Sequence, residues 1–168
     1  MNGEQLKGRA HVYGDDINTD LIISGKYTKT LALQTFADHV LEDLDPEFRG
    51  KVRKGDILVA GENFGCGSSR EQAPLALKLS GVSAVIARYF ARIFFRNAIN
   101  IGLPVMEIGN FDISTGDELS VSLESGTVEN LTKNTIYNAT KMPAVMIDIL
   151  KEKGLVNYLR KNGDYELF

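Results

Sequence analysis

Gly61-Glu62-Asn63-Phe64-Gly65-Cys66-Gly67-Ser68-Ser69-Arg70-Glu71 lies between two stretches of different period. Before it, Asp56-Ile57-Leu58-Val59-Ala60 is a short β-rich run that predicts a buried strand. After it, residues 72–79 have helical composition and stop at Ser80-Gly81. Glycines let the backbone approach a ligand closely, and the first turn of a helix leaves N–H groups unpaired. Ser68, Ser69 and Arg70 add two hydroxyls and a guanidinium at that point, which makes an anion site. Arginine favours planar, two-pronged acceptors such as carboxylate and phosphate.

Nucleotide motifs do not account for the loop. The dinucleotide fingerprint needs a third glycine where Arg70 stands, and the P-loop needs a lysine that residues 61–70 lack. A nucleophile elbow needs glycines on alternate sides of one serine, which Ser68-Ser69-Arg70 does not supply. A small carboxylate or phosphate remains. The plainer alternative is a tight glycine turn capped by serine, with Arg70 in a salt bridge.

Outward from the loop, residues 7–13 predict a first strand, Gly14-Asp15-Asp16 a turn, and Leu21-Ile22-Ile23 a short buried strand. Residues 24–30 form a polar loop. Thr30 is placed to cap a helix over 31–44 that has Leu33, Phe36, Val40 and Leu41 on or near one face. Residues 83–87 predict a second buried strand, 89–100 a helix stopped by Gly102, and 104–108 a third strand. Residues 119–131 alternate as a hairpin turned at Ser125-Gly126, and helices are predicted over 144–151 and 155–160 with a break near Gly154. Strand–helix–strand order in the middle implies a parallel βαβ unit and an α/β fold.

The chain has 168 residues, a net charge of −3 and a single cysteine. One core is expected, with residues 1–168 as a single domain. The acidic balance argues against a nucleic-acid surface, and the lack of a long apolar run or signal-peptide pattern predicts a soluble cytoplasmic protein with no membrane span. One cysteine leaves no internal disulfide and no self-contained iron–sulfur or zinc site, so no metal is expected on this chain. Cys66 sits near a helix start, where thiol pKa values fall, but no histidine neighbours it in sequence; an inert or oxidation-sensitive thiol is expected. Phe90, Phe94 and Phe95 have the spacing of a buried helix, with Arg92 and Arg96 expected to pair with acidic residues; His39 is expected at a surface or boundary.

Three blocks carry a family resemblance. They are Asn18-Thr19-Asp20-Leu21-Ile22-Ile23, then Gly65-Cys66-Gly67-Ser68-Ser69-Arg70-Glu71-Gln72-Ala73, then the stretch from Phe90-Ala91-Arg92-Ile93 to Gly102-Leu103-Pro104. In order and spacing they resemble the small subunits of the isopropylmalate dehydratase and homoaconitase family, and the mobile C-terminal domain of aconitase. The resemblance covers nearly the whole chain. It implies a swivelling β/β/α three-layer domain, with a mixed sheet, flanking helices and a second small β layer. It also implies the small subunit of a two-component hydro-lyase, inactive alone, which pairs as a heterodimer or heterotetramer with a large subunit carrying a [4Fe–4S] cluster. The first activity implied is 3-isopropylmalate dehydratase of leucine biosynthesis, which takes 2-isopropylmalate to 3-isopropylmalate through isopropylmaleate. Homoaconitase and 2,3-dimethylmalate or citraconate hydratases are the alternatives within the family.

The resemblance also assigns roles. Ser68 is the expected base, Ser69 and Arg70 the clamp on a substrate carboxylate, and Asp20 the residue that orients Arg70 or a histidine of the partner. In the substrate-selecting loop, alignment on Tyr27 and Thr30 places Lys29 where homoaconitase-type loops have arginine, and Thr28 where leucine is usual. Both depart from the family patterns. Lys29 would suit an extra carboxylate; turned to water, it would leave Tyr27 and Thr28 to shape a small pocket for a short alkylmalate. Two rivals from other classes are a non-catalytic anion-binding regulatory module and a stand-alone acid–base enzyme. The second would have only Glu62 and Glu71 near the loop.

Overall fold

Four short runs pair side by side at the centre of the computed structural model, which describes residues 5–162. β1 (Gln5–Val12), β2 (Ile57–Ala60), β3 (Ala84–Ala87) and β4 (Val105–Glu107) are parallel, in the spatial order β4-β3-β2-β1. β5 (Glu118–Ser122), β6 (Thr127–Asn130) and β7 (Thr135–Asn138) extend the same sheet antiparallel from β1. β1 serves both halves. Its residues 5–9 pair with β5, and its residues 10–12 pair with β2.

Every residue of β2 and β3 is buried, so these strands read as continuous apolar runs with no polar face. The pleat splits them between two cores. Leu58, Ala60, Val85 and Ala87 join the helix-side core, while Ile57, Val59, Ala84 and Ile86 pack with Leu119, Val121 and Val128 of the antiparallel half. The sheet therefore curls over itself, giving a helical layer, a parallel layer and a second β layer. α4 (Gln72–Leu79) joins β2 to β3, and α5 (Arg92–Asn100) joins β3 to β4. α6 (Ala144–Lys151) and α7 (Leu155–Asn162) follow the antiparallel strands.

The structure corrects two local expectations and adds two elements. Leu21-Ile22-Ile23 is not a strand: α1 (Thr19–Ile22) is one helical turn, capped by Asn18 Oδ1, which accepts from the Leu21 N–H at 2.9 Å. Ile22 and Ile23 are fully buried all the same, and burial without a period does not separate a turn of helix from a strand. The helix expected over 31–44 shrinks to α2 (Leu33–Asp38). It begins after Ala32, whose N–H donates to the Thr30 hydroxyl at 3.1 Å, and cannot reach residue 44 because Leu41 adopts φ +54°. That conformation aims the Leu41 N–H at the Ile22 carbonyl, 2.8 Å away, and buries its side chain. α3 (Phe48–Lys51) and β7 had no sequence signal strong enough to predict them.

A buried polar clasp joins β1 to the start of β2. His11 Nε2 lies 2.8 Å from Asp56 Oδ2, and Asp56 also accepts from the N–H groups of Arg53 (2.9 Å) and Arg9 (3.3 Å). Burial by itself pushes the Asp56 carboxyl up. The hydrogen bonds from His11 and the two N–H groups outweigh it and hold the carboxyl below its ordinary value. A carboxyl depressed in the folded state stabilises the fold above its unfolded pKa, and that contribution drains as pH falls through the folded value. Asp56→Asn should therefore cost on the order of 2–3 kcal/mol at neutral pH, since it removes hydrogen bonds to a charged group. In urea titrations the gap from wild type should narrow as pH drops below about 4, the ordinary carboxylate range. A gap of constant size would show that the charge of Asp56 is not what matters.

Candidate active site

The glycine loop leaves β2 at its carboxyl end and is pinned before it reaches its reactive residues. Phe64 donates its N–H to the Tyr89 carbonyl at 3.0 Å and accepts from the Ala91 N–H at 2.9 Å, extending the β2–β3 pairing. Its ring is buried and meets Phe90 and Phe94 edge-on, with centroids 5.9 and 5.1 Å apart. Gly65 follows at φ +82°, and a Cβ there would lie 2.3 Å from Phe94 Cγ, so no L side chain fits. Two further bonds zip the loop to the segment after β1: Gly65 N–H to the Ile17 carbonyl and Thr19 N–H to the Cys66 carbonyl, both 2.8 Å.

Beyond Gly67 (φ +97°) the chain turns tightly, with the Arg70 N–H donating to the Ser68 carbonyl at 2.9 Å. Ser68 and Ser69 are exposed. Among the described residues, the N–H groups of Gly67, Ser68 and Ser69 donate to no acceptor. Glu71 leads into α4 without capping it by its side chain, so donors at the helix start also face out. Arg70 is held from α1 and the residues after it. Its Nη1 donates to Asp20 Oδ1 and, at 3.4 Å, to the Ile23 carbonyl. The guanidinium rests on Gly25, where a Cβ would lie 3.1 Å from Nη2. With Nη1 committed, the other guanidinium donors bond to nothing else among the described residues. Together with the open N–H groups they leave donors that a carboxylate or phosphate could take up.

The structure thus joins Arg70 to Asp20, with Ser68 and Ser69 exposed next to Arg70 in the chain, and Asn18 caps the turn that carries Asp20. The residues of the 24–30 loop divide. Tyr27 stacks on His39 with centroids 3.9 Å apart, and its phenol is pushed up first by its hydrogen bond to Glu42. The Thr28 hydroxyl donates to the Gly25 carbonyl at 2.8 Å. Both polar heads are spent inside the protein, whereas Lys29 is exposed and bonds to nothing else among the described residues. Sequence reasoning missed Gly25, the platform under Arg70, and Thr19, whose buried hydroxyl lies beneath Gly67 without a hydrogen-bond partner. A glycine two residues past a buried isoleucine pair was the only signal for the first; the second stood inside the Asn18-Thr19-Asp20 block with nothing to mark it out from its neighbours.

Phe90 and Phe94 are buried and Phe95 is half-buried, but the helix expected over 89–100 starts only at Arg92, and Phe90 lies before it in a bridge to Phe64. Arg92 and Arg96 depart from expectation: neither makes an ion pair among the described residues, and Arg92 lies over the Tyr89 ring at 5.2 Å. Among the described residues, no group of three or more His, Cys, Asp or Glu side chains is placed to hold a metal ion, and no helix is long and apolar enough to cross a membrane.

Fold and loop together define a β/β/α domain of the swivelling kind, with a cationic hydroxyl-bearing loop at the carboxyl ends of its parallel strands. The chain belongs to the aconitase C-terminal domain family, which matches residues 11–110 and so spans all three sequence blocks. A methanogen homoaconitase small subunit from Methanothermobacter thermautotrophicus is 53 % identical over 159 residues, covering 95 % of this chain and 93 % of the relative. A 3-isopropylmalate dehydratase small subunit from Archaeoglobus fulgidus is 53 % identical over 164 residues, covering 97 % and 99 %. The crystal structure of 3-isopropylmalate dehydratase from Methanocaldococcus jannaschii superposes with a TM-score of 0.90 at 46 % identity, covering 94 % of this chain and 95 % of that one.

Cys66 is part of the loop but poorly suited to act as a nucleophile. Burial pushes its thiol up, and the Asp16 carboxylate adds to the effect. A raised thiol pKa means less thiolate at neutral pH. Iodoacetamide should therefore alkylate Cys66 more slowly than a free cysteine peptide at pH 7. The midpoint of the rise in rate with pH should lie above about 8.5, the midpoint of an ordinary thiol. Equal rates at neutral pH would contradict the assignment.

Proposed function

We propose that this chain is the small, substrate-clamping subunit of a two-component hydro-lyase that dehydrates and rehydrates a malate-type substrate, with 3-isopropylmalate dehydratase as the favoured activity. The observation that carries this is the Arg70 guanidinium, fixed by Asp20 and the Ile23 carbonyl beside three open N–H groups and two exposed serines. Removing a proton next to a carboxylate builds negative charge on that carboxylate, and preorganised donors lower the barrier most where the charge develops. Arg70 supplies a planar, paired grip on the carboxylate, and the Gly67–Ser69 backbone supplies further donors. Ser68 then takes the proton on Oγ. A serine alkoxide needs nearby positive charge to persist, which Arg70 and the dipole at the start of α4 provide.

The chain holds no set of ligands for a metal among the described residues, so the iron–sulfur cluster implied by the family resemblance would belong to the large subunit, where it would supply Lewis acidity toward the substrate hydroxyl. This chain contributes orientation, the base and the exclusion of water.

Lys29 favours one second reading. Its ammonium is the uncommitted polar head among residues 27–29, and a cation there suits a substrate with an extra carboxylate, as the homoaconitase named among the relatives would take. An assay of the reconstituted pair on 3-isopropylmalate, homoaconitate, 2,3-dimethylmalate and citraconate separates the two. Alkylmalate turnover that Lys29→Val leaves unchanged or improves supports the favoured activity. Preference for homoaconitate, lost selectively in Lys29→Val, establishes the other.

The roles within the clamp separate kinetically. Ser68→Ala should lower kcat about 100-fold or more, the usual worth of a positioned base, with little change in KM. Arg70→Lys should raise KM as well as lower kcat, because lysine keeps the charge but loses the paired geometry. Should Ser69→Ala carry the kcat loss while Ser68→Ala stays near wild type, Ser69 is the base.

A further inference from the structure

The segment from Ile22 to Tyr27 is fastened at both ends to residues 39–42, and Arg70 lies on the stretch between. At one end the Ile22 carbonyl accepts the Leu41 N–H at 2.8 Å. At the other the Tyr27 ring lies flat on the His39 ring, with centroids 3.9 Å apart and planes 9° from parallel. Between these ties come the Ile23 carbonyl, which accepts from Arg70 Nη1, and Gly25, on which the guanidinium rests. A shift at Tyr27 passes to that platform, because Gly25–Tyr27 is a single 3-10 turn and the Thr28 N–H and hydroxyl both bond back to the Gly25 carbonyl. Glu42 orients both rings. His39 Nδ1 lies 3.3 Å from Glu42 Oε2, an oxygen shielded from water. The Tyr27 phenol bonds to the same carboxylate and holds it below its ordinary range, with His39 adding to the effect. The His39 side chain keeps 35 % of its surface exposed, so its ring is not there to fill a core.

We infer that His39 is a positioning residue for Arg70: stacked on Tyr27 and paired with Glu42, it fixes the end of the 22–27 segment that sets Gly25 under the guanidinium. The inference rests on the reading of Arg70 as the clamp on a substrate carboxylate. Both hydrogen bonds of the guanidinium leave from Nη1, so they locate one nitrogen and not the plane. The contact with Gly25 sets the plane. A paired grip on a carboxylate depends on that plane, and a small misplacement of a binding group costs rate out of proportion to its size.

The test joins NMR of the free chain to kinetics of the reconstituted pair. In the isotope-labelled chain the Arg70 Nε–H resonance should shift in His39→Ala and return toward wild type in His39→Phe, which keeps a flat ring against Tyr27. On whichever malate-type substrate the wild-type pair turns over, His39→Ala should lower kcat/KM about tenfold, chiefly through KM, and His39→Phe should recover most of the loss. In an Arg70→Lys background His39→Ala should cost less than about twofold, because the group it positions is gone. If His39→Ala does not fold, Tyr27→Leu removes the other ring of the stack and takes its place in each measurement. An unmoved Arg70 resonance overturns the inference, and so does an undiminished loss in the Arg70→Lys background. Wild-type kinetics in Arg70→Lys would overturn the clamp and this inference with it. If the wild-type pair turns over none of the substrates, the two-subunit function falls and the resonance alone decides whether His39 positions Arg70.

Discussion

The absence of a side chain at Gly65 is the constraint on which the site depends. The Phe94 ring occupies the space a Cβ would need, and the positive φ turns the chain out of the sheet toward the segment after β1. From there the residues proposed for the site are placed in sequence. The Ile17 carbonyl takes the Gly65 N–H, the Cys66 carbonyl takes the Thr19 N–H, and the one-turn helix so anchored delivers Asp20 to Arg70. The aromatic trio Phe64, Phe90 and Phe94 is therefore more than core filling. It sets the height at which the serines leave the sheet.

β2 is only four residues long, yet both of its ends carry polar work. At its amino end Asp56 gathers His11, Arg9 and Arg53; at its carboxyl end Gly61 opens the loop. Gly61 is itself tightly packed: a Cβ there would lie 1.8 Å from Asp15 Oδ1, an oxygen that accepts the Glu62 N–H at 2.7 Å. A strand clamped at both ends and buried on both faces has little freedom to slide. Arg70 inherits that stiffness, and a preorganised donor loses less entropy when its ligand arrives.

How far the sequence carries the structure depends on which physical signal each segment holds. The parallel strands and α4 were legible because continuous apolar runs broken by glycines have few other solutions. Ser68, Ser69, Arg70 and Asp20 were nominated as a set through resemblance, while the residues alone also allowed a capped turn; what the structure adds is the contact between Arg70 and Asp20. Leu21–Ile23 was misread because buried isoleucines satisfy a strand and a single helical turn alike, and the deciding group was the Asn18 side chain. The helix over 31–44 was overextended because its apolar spacing is sound, but Leu41 exchanges a helical bond for one to Ile22. Tyr27 and Thr28 were expected to shape a pocket, yet the Tyr27 phenol bonds to Glu42, a tertiary partner with no local trace, and the Thr28 hydroxyl turns back to the Gly25 carbonyl three residues earlier.

The double pairing of β1 also bears on how the chain reaches this state. The strand is made early, but half of its partners lie far downstream: Ser120 Oγ bonds to Gln5 Oε1 across 115 positions, and the Val12 N–H reaches Thr115 across 103. Contacts of such sequence separation close large loops before they yield any stabilisation, and folding slows accordingly. During synthesis the edge of β1 that will meet β5 stays open until the antiparallel hairpin emerges. An unpaired strand edge is a template for another chain, so the nascent protein passes through an interval in which aggregation competes with completion of its own sheet.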